Sequence, residues 1–378
     1  MIENGLVYAP EPRGPQSLLI VGDRIAQIGQ IDRKRIEASG LELSVVDASD
    51  CFITPGFIDP HEHLIGGSGE EGFNTQTPEI FLSEIVVAGI TTVVGCLGVD
   101  TTTKTMPALL AKAKALNEEG LTAFIWSGGY DVPPVTLTGS LRNDLIFISE
   151  VIGAGETAIS DNRATEPSLD ELARLVSDAY VGGMLSRKAG VTHFHVGDHP
   201  KRLQPLRALV TDYAVEPRWL YPTHVERNRE LMREAAGFTR LGAFVDIDTM
   251  EEDLPEQLRL FLDDHGDLNR LTVSSDAAIS SSLTLYEQIR ACVFEHKYPL
   301  ERVLPLVTLN PARVLKLDRK GRLERGCDAD LLALRRDSLE IAHVFARGRP
   351  MVRDGELVVA EKFLTLSNRR ISLYGGKS

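Results

Sequence analysis

Little in this 378-residue chain points to a disulfide scaffold, a membrane span or a nucleic-acid surface. It has four cysteines, Cys51, Cys96, Cys292 and Cys327, set far apart and without a Cys-x-x-Cys pair. That spacing argues against a disulfide framework or a structural zinc knuckle and leaves reduced thiols packed as small hydrophobes. Clustered Lys and Arg are also missing: the net charge of −13 is spread along the chain, whereas nucleic acids and anionic membranes require basic patches. No stretch reaches the roughly 18 apolar residues of a membrane span, and Met1-Ile2-Glu3-Asn4-Gly5 lacks the basic and apolar regions of a secretory leader, so a cytoplasmic location is expected. Internal repeats and low-complexity tracts are absent.

What is present is the composition of an ordinary globular protein, 43% hydrophobic and 25% charged, with enough apolar material for a full core. The length suits one barrel of about 250 residues plus a smaller unit. From about Thr54 to Leu317 short β-branched runs alternate with helical patterns, the signature of repeated βα units. Eight runs qualify: Phe57–His63, Ile90–Leu97, Thr122–Ser127, Thr157–Ser160, Val191–Val196, Tyr221–Val225, Ala243–Ile247 and Leu271–Ser275. Eight repeats predict a (β/α)8, TIM-like barrel over residues 54–319. Helix starts are expected at Thr77-Pro78 and at the capping box Ser168-x-x-Glu171. The segments Ser17–Ala26 and Val352–Val358 read as hairpins around Gly22 and Gly355, so residues 1–53 and 320–378 are expected to pair into one small β-sandwich domain that the barrel interrupts.

The sharpest chemical feature is Asp59-Pro60-His61-Glu62-His63. Side chains two apart on a strand point the same way, so His61 and His63 can grip one ion. A His-x-His pair alone is weak evidence, but this one ends the first barrel strand, where catalytic groups of such barrels gather. His195, His224 and Asp276 end three later strands. Any one of them alone is better read as a satisfied core histidine or a helix-capping Asp; on four strands together, that reading fails. His193 shares the face of His195 one pleat deeper and is not taken as a ligand. His199, His265, His296 and His343 read as surface or structural residues.

The run Pro55-Gly56-Phe57-Ile58-Asp59-x-His61-x-His63, followed by His, His and Asp at strand ends, resembles the amidohydrolase superfamily. Four further segments resemble the isoaspartyl (beta-aspartyl) dipeptidases: Leu64–Glu70, Ala158–Arg163, Phe194–Asp198 and Pro222–Asn228. The resemblance covers nearly the whole chain and includes the tail Gly326–Leu332. It implies a binuclear metal-dependent hydrolase that cleaves the isopeptide bond of isoaspartyl dipeptides. Two divalent ions, zinc by default, would share a hydroxide, with His61, His63 and Asp276 on one ion and His195 and His224 on the other.

The resemblance also implies a carboxylated lysine on the fourth strand, which is missing here; Glu156 stands at its place, next to one extra residue. A Glu is much shorter, so the strand is expected to bulge inward there. Carried over residue by residue, the resemblance implies Asp276 as general acid/base and Tyr130 as polariser of the scissile carbonyl. Glu70 would receive the substrate ammonium and Arg163 and Arg227 its carboxylates, with Ser280, Ser68 and Val99 also contacting substrate. Val99 departs from a family threonine, and Ala277-Ala278-Ile279-Ser280 departs from the family's loop and leaves the following region shorter, which puts the substrate in doubt more than the metal chemistry. Alternatives are another acidic amide, an N-acyl amino acid or a cyclic imide, and a lapsed homologue kept as a scaffold, although the latter predicts eroded ligands. A homo-oligomer is expected from the resemblance alone.

Overall fold

A computed structural model describes residues 1–40, 42–67, 69–251 and 253–368 of the chain. The N-terminal part supplies strands β1 (Ile2–Tyr8), β2 (Pro12–Val21), β3 (Arg24–Gly29), β4 (Val46–Asp47) and β5 (Cys51–Pro55). The middle supplies β6 (Phe57–Glu62), β7 (Ile90–Gly95), β8 (Thr122–Ser127), β9 (Val151–Ile159), β10 (Thr192–Val196), β11 (Leu220–Thr223), β12 (Val245–Asp248) and β13 (Leu271–Ser274). The C-terminal part adds β14 (Leu331–Arg335), β15 (Ile341–Ala346), β16 (Arg349–Arg353) and β17 (Glu356–Leu357).

Strands β6 to β11 form one parallel sheet in sequence order, and β12 pairs in parallel with β13. Single backbone bonds join these two sheets. Val225 N donates to Asp246 O at 3.4 Å on one side; on the other, Asp276 N donates to His61 O at 3.1 Å and His63 N to Ala277 O at 2.9 Å. The sheet therefore curls until its last strand lies beside its first. All eight runs anticipated from the sequence are strands within this curled parallel sheet.

The fourth strand is longer than its predicted Thr157–Ser160, starting at Val151. Its Gly153-Ala154-Gly155 stretch resembles a loop in sequence, yet the glycines serve close packing. A Cβ at Gly153 would sit 2.4 Å from Val191 O and 2.5 Å from the Trp126 ring, and one at Gly155 would sit 2.7 Å from His193 O. The helix expected at Thr77-Pro78 begins instead at Leu82, and Thr77 Oγ1 accepts from Gly67 N at 2.9 Å. Ser168 does cap the helix Leu169–Ser186 in a capping box with Glu171.

Strands from both termini join in one nine-stranded sheet of order β17-β16-β15-β14-β5-β1-β2-β3, with β4 on β1. Ile2, Leu18, Ile25, Ile53 and Leu331 form its own buried cluster. The largest core lies between the parallel strands and their helices. Below the site, Ile58, Val94, Trp126, Ile152 and Tyr221 fill the interior, so the ring of strands is a packed plug. Trp126 Nε1 donates to Pro60 O at 2.9 Å and fixes the strand that carries His61. All four cysteines are free and buried, and among the described residues no helix is long and apolar enough to cross a membrane.

Candidate metal centre

The histidines and acids picked out at strand ends converge on one point, the carboxylate of Glu156. His61 Nε2 lies 3.1 Å and His63 Nε2 3.9 Å from Glu156 Oε2. Asp276 Oδ1 lies 3.3 Å from His61 Nε2 and 3.1 Å from His63 Nε2. On the opposite side, His195 Nδ1 lies 2.8 Å and His224 Nε2 3.2 Å from Glu156 Oε1. One carboxylate thus turns one oxygen to each of two ligand groups.

Glu156 reaches inward because its strand is bulged. Thr192 of β10 pairs with Ala154 of β9, but Phe194 pairs with Thr157, so three residues of β9 face two of β10. The extra residue kinks the strand at Gly155 and Glu156. A second slip, between the Asp59↔Val93 and Glu62↔Gly95 pairs of β6 and β7, lies at His61 itself.

The electrostatics are those of a pocket built around positive charge. Burial pushes His61 and His63 down, but nearby anionic groups outweigh it and carry both well above the ordinary imidazole value; for His61 these are Glu156, Cys96 and Asp276, and for His63 Cys96 and Asp276. His224 is likewise opposed by burial and raised to about 9 by Asp248 and Glu156. Glu156 is held well below the carboxylate range, the histidines overcoming its burial. His61 Nδ1 is buried with no hydrogen-bond partner among the described residues. Among the described residues, three groups of side chains converge closely enough to hold an ion: His61, His63, Cys96 and Glu156; Glu156, His195 and His224; and His224, Asp248 and Asp276. Imidazole and carboxylate donors at these separations fit divalent transition metals.

A cavity of about 570 Å³ opens above the ligands, walled by His63, Glu70, Val99, Tyr130, Arg163, His195, Arg227 and Asp276. Tyr130 Oη lies 2.8 Å from His195 Nδ1, and the Arg163 guanidinium sits 5.4 Å from the Tyr130 ring centroid. Arg163 is heavily engaged: it donates to both oxygens of Asp161 at 2.9 and 2.8 Å and to Glu70 Oε1 at 2.7 Å. Arg227 is freer, with only Asp198 at 3.8 Å among the described acids. Ser280 is not on the cavity wall, where Ala278 and Ile279 stand instead. Ser68 lies outside the described residues. His193 sits deeper, Nδ1 donating to Tyr221 O at 3.1 Å and its ring stacked on Trp126, apart from the ligand groups.

Three neighbours went unrecognised in the sequence. Asp248 accepts from His224 Nδ1 at 2.6 Å, and Asp161 lies 2.9 Å from His195 Nε2. Both sit at the C-terminal ends of strands, so the rule that found the histidines would have found them. Cys96, read as a packed thiol, lies 3.6 Å from His63 Nδ1.

A curled parallel sheet with these donors at its strand ends defines an amidohydrolase, and the amidohydrolase family model matches residues 223–355. A crystal structure of beta-aspartyl dipeptidase from Fervidobacterium islandicum AW-1 superposes with a TM-score of 0.90 at 37% identity, covering 96% of this chain and 99% of that one. The same enzyme in complex with a beta-Asp-Leu dipeptide gives 0.89 at 36% identity, covering 96% and 98%. Among curated proteins, imidazolonepropionase of Myxococcus xanthus is 31% identical over 122 residues, 32% of this chain and 29% of that protein; the chain spans less than half the length of such curated relatives. The chain belongs to the beta-aspartyl dipeptidase family of the amidohydrolase superfamily.

Proposed function

We propose that this protein hydrolyses the isopeptide bond of beta-aspartyl dipeptides, releasing aspartate and a free amino acid. The observation that carries the reading is the buried Glu156 carboxylate divided between two ligand groups, of which His63, His195 and Asp276 line a cavity rimmed by Glu70, Arg163 and Arg227. A solved relative bound to beta-Asp-Leu supports the substrate class.

His61, His63, Asp276 and Oε2 of Glu156 would hold one divalent ion, and His195, His224 and Oε1 of Glu156 a second, both by default zinc. Such ions, when bound, supply an acidified water at neutral pH and polarise a carbonyl. Asp276 is the acid/base: it accepts the proton of the attacking water and delivers it to the leaving amine. Its support is a buried carboxyl held low, histidines His61, His63 and His224 overcoming its burial, so that it starts as the base. Tyr130 stabilises the developing oxyanion through a hydroxyl that burial and Glu156 keep protonated, its pKa well above the ordinary tyrosine value. Glu70 pairs with the substrate ammonium, and Arg163 and Arg227 with its two carboxylates by the planar fork suited to them. Val99 completes the substrate contacts as a cavity wall, with Ser68 proposed as a further one, whereas Ser280 stands off that wall.

A second reading, hydrolysis of another acidic amide, is favoured by one observation: Arg163 is already bound to Asp161 and Glu70, so its fork must be released before a substrate carboxylate can take it. The same proposal treats the eight parallel strands as a (β/α)8 barrel over 54–319, supported by the backbone bonds that join β13 to β6. The sheet of 1–53 and 320–378 is taken as a β-sandwich around its own cluster. It also includes a cytoplasmic homo-oligomer. The test is metal content per chain together with turnover of beta-Asp-Leu and an N-acyl aspartate. Two ions with beta-Asp-Leu turnover is the expected result; turnover of the N-acyl compound alone would transfer the function to the second reading.

A further inference from the structure

We propose that Cys96 is a thiolate ligand of the ion held by His61 and His63, an inference that rests on reading the site as a metal centre. Cys96 follows directly on β7, its amide donating to Glu62 O at 3.0 Å across the slipped β6–β7 register. That register sets the thiol beside the His61–His63 stretch, and its sulfur shares one group of converging donor atoms with His61, His63 and Glu156, all within 4.8 Å of one another. With His61, His63, Asp276 and Glu156, Cys96 would be a fifth protein ligand; a nitrogen at about 2.0 Å and a sulfur at about 2.3 Å on one five-coordinate ion lie roughly 3.0 to 3.7 Å apart for angles of about 90° to 120°. Cys96 Sγ lies 3.9 Å from His63 Nε2, close to that separation.

None of the other three cysteines belongs to such a donor group among the described residues. The competing role for Cys96 is a small packed thiol whose S–H points at Glu62 O, 3.5 Å away, and the two roles differ in chemistry. As a ligand, the thiol gives up its proton to solvent on metal binding, and its sulfur lone pair forms the bond to the ion. A soft sulfur donor biases the site toward zinc, cobalt and cadmium and away from manganese and magnesium, which a pure histidine and carboxylate set does not do.

The full-length protein is stripped with a chelator and titrated with Co²⁺, with absorption spectra and bound-metal stoichiometry recorded for wild type, Cys96→Ser and Cys96→Ala; circular dichroism confirms folding. The expected result is a near-ultraviolet thiolate-to-cobalt charge-transfer band in wild type that both variants lose. Their cobalt affinity should fall by at least the ~10- to 100-fold typical of losing even an outer partner of a metal site. Stoichiometric cobalt without the band in wild type, or a band that persists in the variants, overturns the thiolate ligand while leaving the metal centre intact. Failure of wild type to bind cobalt at all overturns both. If neither variant folds, the wild-type spectrum decides alone.

Discussion

Replacing Asp248 tests whether the centre depends on the carboxylate behind His224. The contact is short, 2.6 Å, and both side chains are buried, so the bond from His224 Nδ1 to the carboxylate is charge-assisted in a region of low dielectric. It fixes which ring nitrogen faces the ion and how the ring is turned. Losing such an outer partner typically costs 10- to 100-fold in metal affinity, about 1.4 to 2.7 kcal/mol. Asn keeps the size and one acceptor oxygen, so Asp248→Asn loses mainly the charge and should weaken metal binding about 10-fold. Asp248→Ala leaves His224 Nδ1 buried without a partner and should approach 100-fold. Zinc dissociation constants by chelator competition, with kcat/KM of the reconstituted enzyme, measure both. Either variant binding zinc within twofold of wild type, or Asn proving worse than Ala, would refute the reasoning.

Asp276→Asn should lower kcat by about 10²- to 10⁴-fold while leaving metal content nearly intact, and a fully active variant would remove Asp276 as acid/base. Glu156→Gln presents one neutral oxygen and an amide N–H₂ in place of two anionic oxygens, so elemental analysis should find one ion per chain or none; wild-type content would end the bridging role. Gly153→Ala forces a methyl against Val191 O and the Trp126 ring and should destabilise by about 1–3 kcal/mol, read as a lowered Tm, with an unchanged Tm the contrary result. Acid stability should depend on Asp161: burial alone would push its carboxyl up, but the bonds from Arg163 and His195 outweigh burial and hold it well below its ordinary 3.8. A carboxyl held low in the folded state contributes stability that is present above its unfolded pKa and lost as pH falls. Asp161→Asn should therefore flatten the loss of stability between about pH 5 and 3, and equally steep curves for the two proteins would contradict it.

The repeating part of the molecule was legible because a parallel strand buried on both faces is a short apolar run, and eight such runs stand out between helical patterns. The strand that failed was the fourth. Its glycines are conventional loop signals, and only the close approach of Val191 O and Trp126 explains them. Helix starts divided in the same way. Ser168 has its Glu171 partner in sequence, whereas Thr77 caps nothing because its hydroxyl is taken by a residue ten positions earlier. At the site, His61 and His63 were readable from alternation along a strand, His195, His224 and Asp276 from their places at strand ends, and Glu156 from the missing lysine. The converging geometry of Cys96 was not, because its nearness to His63 arises from a register slip between two strands that no local pattern encodes. The engagement of Arg163 by Asp161 and Glu70 was equally invisible, being a contact among loops from different strands.

The pairing of β5 with β1 on one side and β14 on the other has a consequence for how the chain is made. During synthesis from the N-terminus, residues 51–55 emerge some 280 positions before their second partner at 331–335, so β5 shows an open edge through the whole translation of the curled sheet. Such an edge is a template for wrong strands, its own or a neighbour's. The ribosome-bound chain therefore needs the edge shielded until residues 331–335 arrive, and a truncation before Leu331 should aggregate even though every metal ligand named above is already in it.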